Sequence, residues 1–216
     1  MESSTTWTRW GIGLALLAFA PSVAAAAGNV GVRYGWSDVG SEIIDNIGDL
    51  GGTNLIGLQA SFDLLTLLEV EVAGEYVSES FGFTEGLIGG VEAAGDGDWE
   101  DLALYATGHL NVLTLPMLPV TGYVGGGLNV HWIDLKIENA VGPASAPPGP
   151  QDDFDDAVKE VAGESSETGW HVVGGLRLSF LGSPLSIFAE GRWADGFEDD
   201  GAPETKSAYL GVTLGL

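Results

Sequence analysis

The 216-residue chain is long enough for one mid-sized domain or a single barrel. It carries 31 acidic and 7 basic residues, and the resulting net charge of −24 excludes nucleic acid as a partner because it would repel phosphate. Because the sequence has no cysteine, disulfides, thiolate metal sites and a cysteine nucleophile are also excluded. Its 34 glycines, about twice the average usage, indicate close backbone approach or a need for little side-chain volume.

The first 27 residues have the pattern of a secretory signal peptide. Arg9 precedes an apolar run over residues 11–20, and small residues follow over 22–27. The run is shorter than the roughly 20 apolar residues of a membrane-spanning helix, although an uncleaved anchor helix is the alternative. We therefore expect cleavage after residue 25, 26 or 27, and one domain over residues 28–216.

From residue 29 onward, apolar and polar residues alternate with a period of two in eight segments. Such alternation is typical of strands with one apolar face. The sequence therefore predicts an all-β fold, an eight-stranded antiparallel up-and-down transmembrane β-barrel. The alternating segments are 30–36, 56–62, 68–76, 102–112, 120–132, 170–180, 185–193 and 208–216.

The links between these segments alternate in length. Those after the second, fourth and sixth segments are short, whereas the others are predicted to be long loops over residues 38–52, 77–99, 134–168 and 195–204. Short turns on one side and long loops on the other are typical of outer-membrane barrels with an even strand count. Both termini would then lie on the short-turn side.

Alternation alone does not distinguish an outward apolar face from the apolar interior of a soluble barrel. The opposite face here has few charges and many Gly, Ser, Thr, Asn and Tyr residues, so it does not look like a soluble surface. Aromatic residues also collect at the long-loop ends of the apolar face, as in an interfacial girdle. The predicted girdle consists of Trp36, Tyr76, Trp132, Trp170 and Trp193.

The chain resembles the small eight-stranded outer-membrane barrels of Gram-negative bacteria, the OmpA-like and OmpX-like group that includes opacity-type porin-family proteins. The resemblance covers residues 29–216, including a fifth segment over 119–127 and a Glu-x-Arg seventh segment. Its most specific part is the last segment, which looks like a barrel-assembly signal formed by Tyr209, Gly211, Leu214 and Leu216.

This resemblance implies a location in the cell outer membrane, with the long loops extracellular at the cell surface and the termini periplasmic. The implied partners are outer-membrane lipid, lipopolysaccharide and, during insertion, the barrel-assembly machinery. Function would be structural, in envelope integrity or in surface interaction, and non-enzymatic.

Charged residues on the inward face should pair, because eight strands leave an interior just wide enough for side chains. We expect them to form a salt-bridge network that plugs the lumen. The alternative is a narrow channel or carrier for small solutes. The predicted network consists of Arg33, Glu69, Glu71, Glu75, Arg177, Glu190 and Arg192.

Metal binding is a weaker hypothesis at two places. His131 and His171 lie on adjoining inward faces, where they could approach each other and use Asp134 as a carboxylate, although lumenal hydrogen bonding is commoner. The predicted long loops hold 23 of the 31 acidic residues. Weak divalent-cation candidates there are Asp152, Asp153, Asp155 and Asp156.

A lipid-modifying enzyme is the second alternative function, since two such families use barrels of this size. A serine nucleophile needs a base within hydrogen-bond reach, and neither His131 nor His171 has a serine at a recognised spacing. The sequence therefore predicts neither a catalytic residue nor a cofactor.

Overall fold

A computed structural model describes residues 28–40, 52–88, 91–114, 119–141, 163–197 and 204–216. Eight strands make up almost all of this part of the chain. They are β1 (Asn29–Gly40), β2 (Thr53–Leu65), β3 (Leu68–Ile88), β4 (Val91–Thr114), β5 (Val120–Val141), β6 (Gly163–Ser179), β7 (Leu185–Gly196) and β8 (Glu204–Gly215). The predicted signal peptide, residues 1–27, lies outside the described residues. No helix in the described ranges is long and apolar enough to cross a membrane.

The strands form a closed antiparallel barrel in chain order. Closure occurs between the first and last strands, where β8 pairs with β1 from Asn29↔Gly215 to Gly40↔Glu204. This long register leaves no open edge between β1 and β8, so backbone groups there bond within the sheet. The predicted eight-stranded up-and-down barrel is confirmed.

Short turns join the strands at the end of the barrel that holds both termini. Between β6 and β7, the Ser183 amide donates to the Phe180 carbonyl oxygen at 3.0 Å. Gly182 has a φ of 77° in this turn, a conformation that glycine adopts without a Cβ penalty. The last residue is held there as well, because the Leu216 amide donates to the Gly28 carbonyl oxygen at 3.0 Å.

The outward face of the barrel is apolar. Leu58, Leu128 and Leu210 are 55%, 61% and 69% exposed, although each lies in the middle of a strand. The alternate positions point inward and bury polar groups, including Arg33 and Glu71 at 1% and 2% exposure. The predicted orientation, with apolar side chains outside and charged side chains inside, is therefore the one in the structure.

The predicted long loop over residues 77–99 is wrong. β3 continues to Ile88 and β4 begins at Val91, so the two strands pair through most of this range. β5 likewise extends to Val141, into the loop predicted over 134–168. These residues were predicted as loops because they link the alternating segments, but strand pairing continues through them.

The two faces exchange character in these extensions. Val77, Trp99 and Leu135 point inward and are buried, whereas Ser80 and Lys136 on the outward face are exposed. The inward apolar side chains form what we call the upper apolar layer. Its members are Leu55, Val77, Trp99, Ile133 and Leu135, with Phe81 and Ile137 packed against them.

Glycines in the barrel wall provide the space that large interior side chains need. A Cβ at Gly57 would lie 2.9 Å from Arg33 Cγ and 3.0 Å from Glu75 Cγ, and one at Gly175 would overlap the Tyr123 ring. At Gly211 a Cβ would overlap Phe188. The high glycine content is thus partly explained by side-chain volume inside a narrow barrel.

Replacing Leu135 by Ala should lower the free energy of unfolding by about 2–5 kcal/mol, because the side chain is buried in the upper apolar layer. The neighbouring Lys136→Ala variant is the matched control. Its ion pairs with Glu100 and Asp134 involve a half-exposed ammonium, so the expected loss is about 0–1 kcal/mol. Urea unfolding followed by tryptophan fluorescence measures both, and equal losses would contradict the inward assignment.

Candidate functional site

The centre of the barrel contains two guanidinium groups and three carboxylates, which we call the central ion cluster. Arg33 lies 2.6 Å from Glu71, 3.3 Å from Glu75 and 3.4 Å from Glu190. Arg192 lies 2.6 Å from Glu75 and 3.2 Å from Glu190. All five side chains are at most 4% exposed, so these charges interact with one another inside the protein rather than with water.

Tyrosines surround the central ion cluster. Tyr209 donates to Glu75 Oε2 at 2.9 Å, and Tyr123 donates to Glu190 Oε2 at 3.0 Å. The Arg192 guanidinium carbon lies 3.9 Å from the centre of the Tyr105 ring, which is cation–π geometry. These contacts satisfy carboxylate oxygens and one guanidinium face that the ion pairs alone leave uncovered.

A second ion pair lies nearer the short turns. Arg177 donates two hydrogen bonds to Glu69, at 2.7 and 2.9 Å. The carboxylate is 1% exposed and the arginine side chain 14%. The structure thus places the seven charged residues predicted for the lumen in these two groups.

His131 and His171 bond to different partners. His131 Nδ1 lies 2.7 Å from Asp101 Oδ2, and His171 Nε2 lies 2.9 Å from Thr107 Oγ1. Both imidazoles lie edge-on to Tyr105, with centroid distances of 5.7 and 5.2 Å. The structure therefore connects each histidine to β4.

The carboxylate considered for a metal site with these histidines pairs elsewhere, because Asp134 lies 3.3 Å from Lys136. Among the described residues, no group of three His, Asp or Glu side chains could hold a metal ion. The loop candidates Asp152, Asp153, Asp155 and Asp156 lie outside the described residues. His109, at the other end of β4, has Nε2 4.0 Å from Glu190.

Sequence reasoning missed the pairing of Asp101 with His131. Alternation placed both on inward faces, but their contact depends on the register of β4 and β5, in which Asp101 is opposite Ile133 and Ala103 is opposite His131. The aspartate thus reaches its partner diagonally. A signal was present, since Asp101 is an acidic residue on an inward face that is otherwise uncharged along β4 apart from His109.

The five aromatic residues predicted for a girdle point outward. Trp170 and Trp193 form an edge-to-face pair with ring centroids 4.8 Å apart. The Trp193 indole also donates a hydrogen bond to the Glu204 carboxylate at 3.0 Å. Hydrogen bonds from Lys206 and from this indole lower the pKa of the exposed Glu204 carboxyl. Trp36 and Tyr76 are 46% and 44% exposed, and Trp132 completes the set.

The residues predicted as an assembly signal divide between the two faces of β8. Leu214 and Leu216 are exposed, at 45% and 67%. Tyr209 is buried in the lumen, where it bonds to Glu75, and Gly211 leaves room for Phe188. Tyr209 and Gly211 therefore have structural contacts in the folded barrel.

Neither a protein-family model nor a curated protein matches the chain. Several solved structures, however, are similar to it. Neisserial surface protein A covers 87% of this chain and 96% of its own, with 11% identity and a TM-score of 0.59. The Yersinia pestis outer-membrane protein Ail, solved with the heparin analogue sucrose octasulfate, covers 86% and 95%, with 12% identity and a TM-score of 0.50. The chain has the fold of the small outer-membrane barrels.

One further solved structure is that of an enzyme. The outer-membrane enzyme PagL covers 87% of this chain and 99% of its own, with 10% identity and a TM-score of 0.44. A similarity at this level carries no argument about activity.

Replacing Arg192 by Met should lower the free energy of unfolding by about 3–5 kcal/mol, because Glu75 and Glu190 would lose a buried partner. The double variant Arg192→Met/Glu75→Gln should lose less than the sum of the single losses, with a coupling of about 0.5–3 kcal/mol. Chemical unfolding of all four proteins completes the cycle. Strict additivity would show that the two groups do not interact.

Proposed function

We propose that this protein spans the outer membrane as a plugged barrel with a structural role, in envelope integrity or in interaction at the cell surface, and without enzymatic activity. The observation that carries the proposal is the combination of an apolar outer wall with an interior occupied by paired charges. Lipid covers the apolar wall of such a barrel and its own side chains fill the interior. Only the two ends of the barrel then remain accessible to other molecules.

The outer wall supports the membrane part of the proposal. Val32, Leu58, Leu128 and Leu210 are all more than half exposed, and in water this would be a large apolar patch of the kind that soluble monomers rarely have. Against acyl chains the same wall is favourable, and the closed hydrogen-bonded sheet leaves no backbone edge in hydrocarbon.

The level at which the outward side chains change from apolar to polar supports a position for the membrane–water boundary. Outward side chains are apolar up to the aromatic residues such as Trp36 and Trp132, and polar in the extensions of β3, β4 and β5. Tryptophan favours membrane–water interfaces. We therefore place the end with the extended strands in the extracellular medium and the end with the short turns and termini in the periplasm.

The acidic residues of the extracellular end suit a surface close to lipopolysaccharide, which is itself anionic. Like charges would repel unless hard divalent cations bridge them, and carboxylates are suitable ligands for such ions. Asp96 and Asp98 belong to this end. For insertion into the membrane, the proposed partner is the barrel-assembly machinery.

The interior argues against the two alternative functions. Arg33, Arg192 and their carboxylates fill the centre of the barrel, where a solute channel would need open space. His131 is 1% exposed and its imidazole bonds to Asp101 and Asn129, so it is not open to a lipid substrate.

Single-channel recording should therefore show no discrete conductance, and mass spectrometry of lipid A should be the same with and without the protein.

Replacing Leu58 by Arg should reduce the free energy of unfolding in lipid vesicles by about 2–4 kcal/mol, because it brings a charge to the middle of the outward face of β2. Ser80→Arg is the control. Ser80 also points outward, but beyond the aromatic residues, so the expected loss is about 0–1 kcal/mol. Urea titration with gel-shift detection measures both variants, and a neutral result for Leu58→Arg would contradict burial of this wall in lipid.

A further inference from the structure

A small enclosed cavity lies between the upper apolar layer and the central ion cluster. Its volume is about 10 Å³, close to the space that one water molecule or one bare alkali cation occupies. Oxygen-bearing side chains surround most of it, which is unusual next to an apolar layer. The polar residues that line it are Ser37, Glu75, Asp101, Tyr105, His131, Thr205 and Ser207.

Asp101 is the lining carboxylate that no guanidinium or ammonium group contacts. Six carboxylates are buried among the described residues, and five of them lie within 3.4 Å of a guanidinium or ammonium nitrogen. Asp101 has His131 instead. Its Oδ2 atom takes that contact at 2.7 Å, and its Oδ1 atom is buried with no hydrogen-bond partner.

His131 bonds to Asn129 through one ring nitrogen and to Asp101 through the other. The Asn129 amide nitrogen lies 2.8 Å from Nε2 and can only donate, so in this arrangement Nε2 accepts. Nδ1 then donates to Asp101 Oδ2 at 2.7 Å. Asp101 thus has a ring N–H where the other five buried carboxylates have a guanidinium or ammonium group.

A buried carboxylate without a counter-charge is costly, and a cation beside it removes that cost. We propose that the cavity is a binding site for one sodium-sized monovalent cation, with Asp101 Oδ1 as its charged ligand. Ser37, Thr205 and Ser207 line the same space, and their hydroxyl groups are the neutral oxygen ligands of the proposed site. Ser37 and Ser207 are already held by their mutual hydrogen bond of 2.9 Å.

Charge favours a cation in this cavity, and volume favours a single small one. Glu75 also borders the cavity, but Arg192, Arg33 and Tyr209 already bond its carboxylate. Asp101 is then the lining carboxylate left for the ion, and the central ion cluster, with three carboxylates against two guanidinium groups, adds to the negative potential there. A larger or hydrated ion would not fit in about 10 Å³.

The test compares sodium with choline, a cation too large for the cavity, at equal concentration and with a chelator present to remove divalent cations. The folded barrel in detergent is heated, and the midpoint of unfolding is read from its gel shift. At a sodium concentration about ten times Kd, the midpoint should rise by roughly 3–6 °C over that in choline. Equal midpoints in sodium and choline would overturn the proposal.

Two variants separate this site from the acidic surface. Asp101→Asn should abolish the sodium-dependent shift, whereas Asp98→Asn removes a half-buried carboxylate that bonds to Ser80 outside the lumen and should retain it. A shift that persists in Asp101→Asn, or that disappears in Asp98→Asn, would assign the effect to the surface and overturn the proposal.

A crystallographic measurement keeps the test decisive if Asp101→Asn does not fold. Crystals of the unsubstituted protein are grown in sodium chloride and in choline chloride, without other monovalent cations, and the two density maps are compared. A peak beside Asp101 Oδ1 that is present in sodium, has oxygen contacts shorter than ordinary hydrogen bonds and is weaker or absent in choline supports the site. Identical density in the two maps overturns it.

Discussion

Two arginines in the middle of a narrow barrel determine what the rest of the interior can be. Arg33 and Arg192 are almost fully buried, and a guanidinium removed from water must find carboxylates and hydrogen-bond acceptors close by. Glu71 and Glu75 provide them from β3, and Glu190 provides one from β7. The cluster thereby connects β1, β3 and β7, which are not all neighbours in the sheet.

The wall accommodates this cluster by having no side chain where the large groups lie. Gly57 faces Arg33 and Glu75, and Gly175 faces the Tyr123 ring. Tyr123 and Tyr209 then donate to the remaining carboxylate oxygens. Composition and electrostatics are therefore linked, because the glycines that made the sequence unusual provide the space for the charged groups.

The exchange of apolar and polar faces along β3, β4 and β5 shows how solvent determines which side chains are placed outside. In the lower part of the barrel, leucines point outward and charges point inward. Beyond the aromatic residues, Trp99 and Leu135 point inward and Lys136 points outward, as in a soluble protein. A single strand thus meets two environments, and its alternation continues unbroken while the chemistry of each face is reversed.

The sequence was sufficient to predict the strands, their order and the lumenal position of Arg33 and Glu190, because a period of two is sustained in eight segments. It failed over residues 77–99, which were predicted as a loop linking two alternating segments although β3 and β4 continue to pair. It also failed to pair Asp101 with His131, because a diagonal contact depends on strand register, which alternation does not specify. Local patterns therefore predicted which face a residue occupies, but not which residue it contacts across the barrel.

Membrane insertion requires that the exposed leucines and valines lie against acyl chains. Solution NMR of the barrel in lipid nanodiscs measures this contact through nuclear Overhauser effects between protein methyl groups and acyl-chain methylenes. We expect such cross-peaks for Val32, Leu128 and Leu210, and none for Val77 or Leu135. Cross-peaks from Leu128 and Leu210 to water, with none to acyl chains, would contradict it.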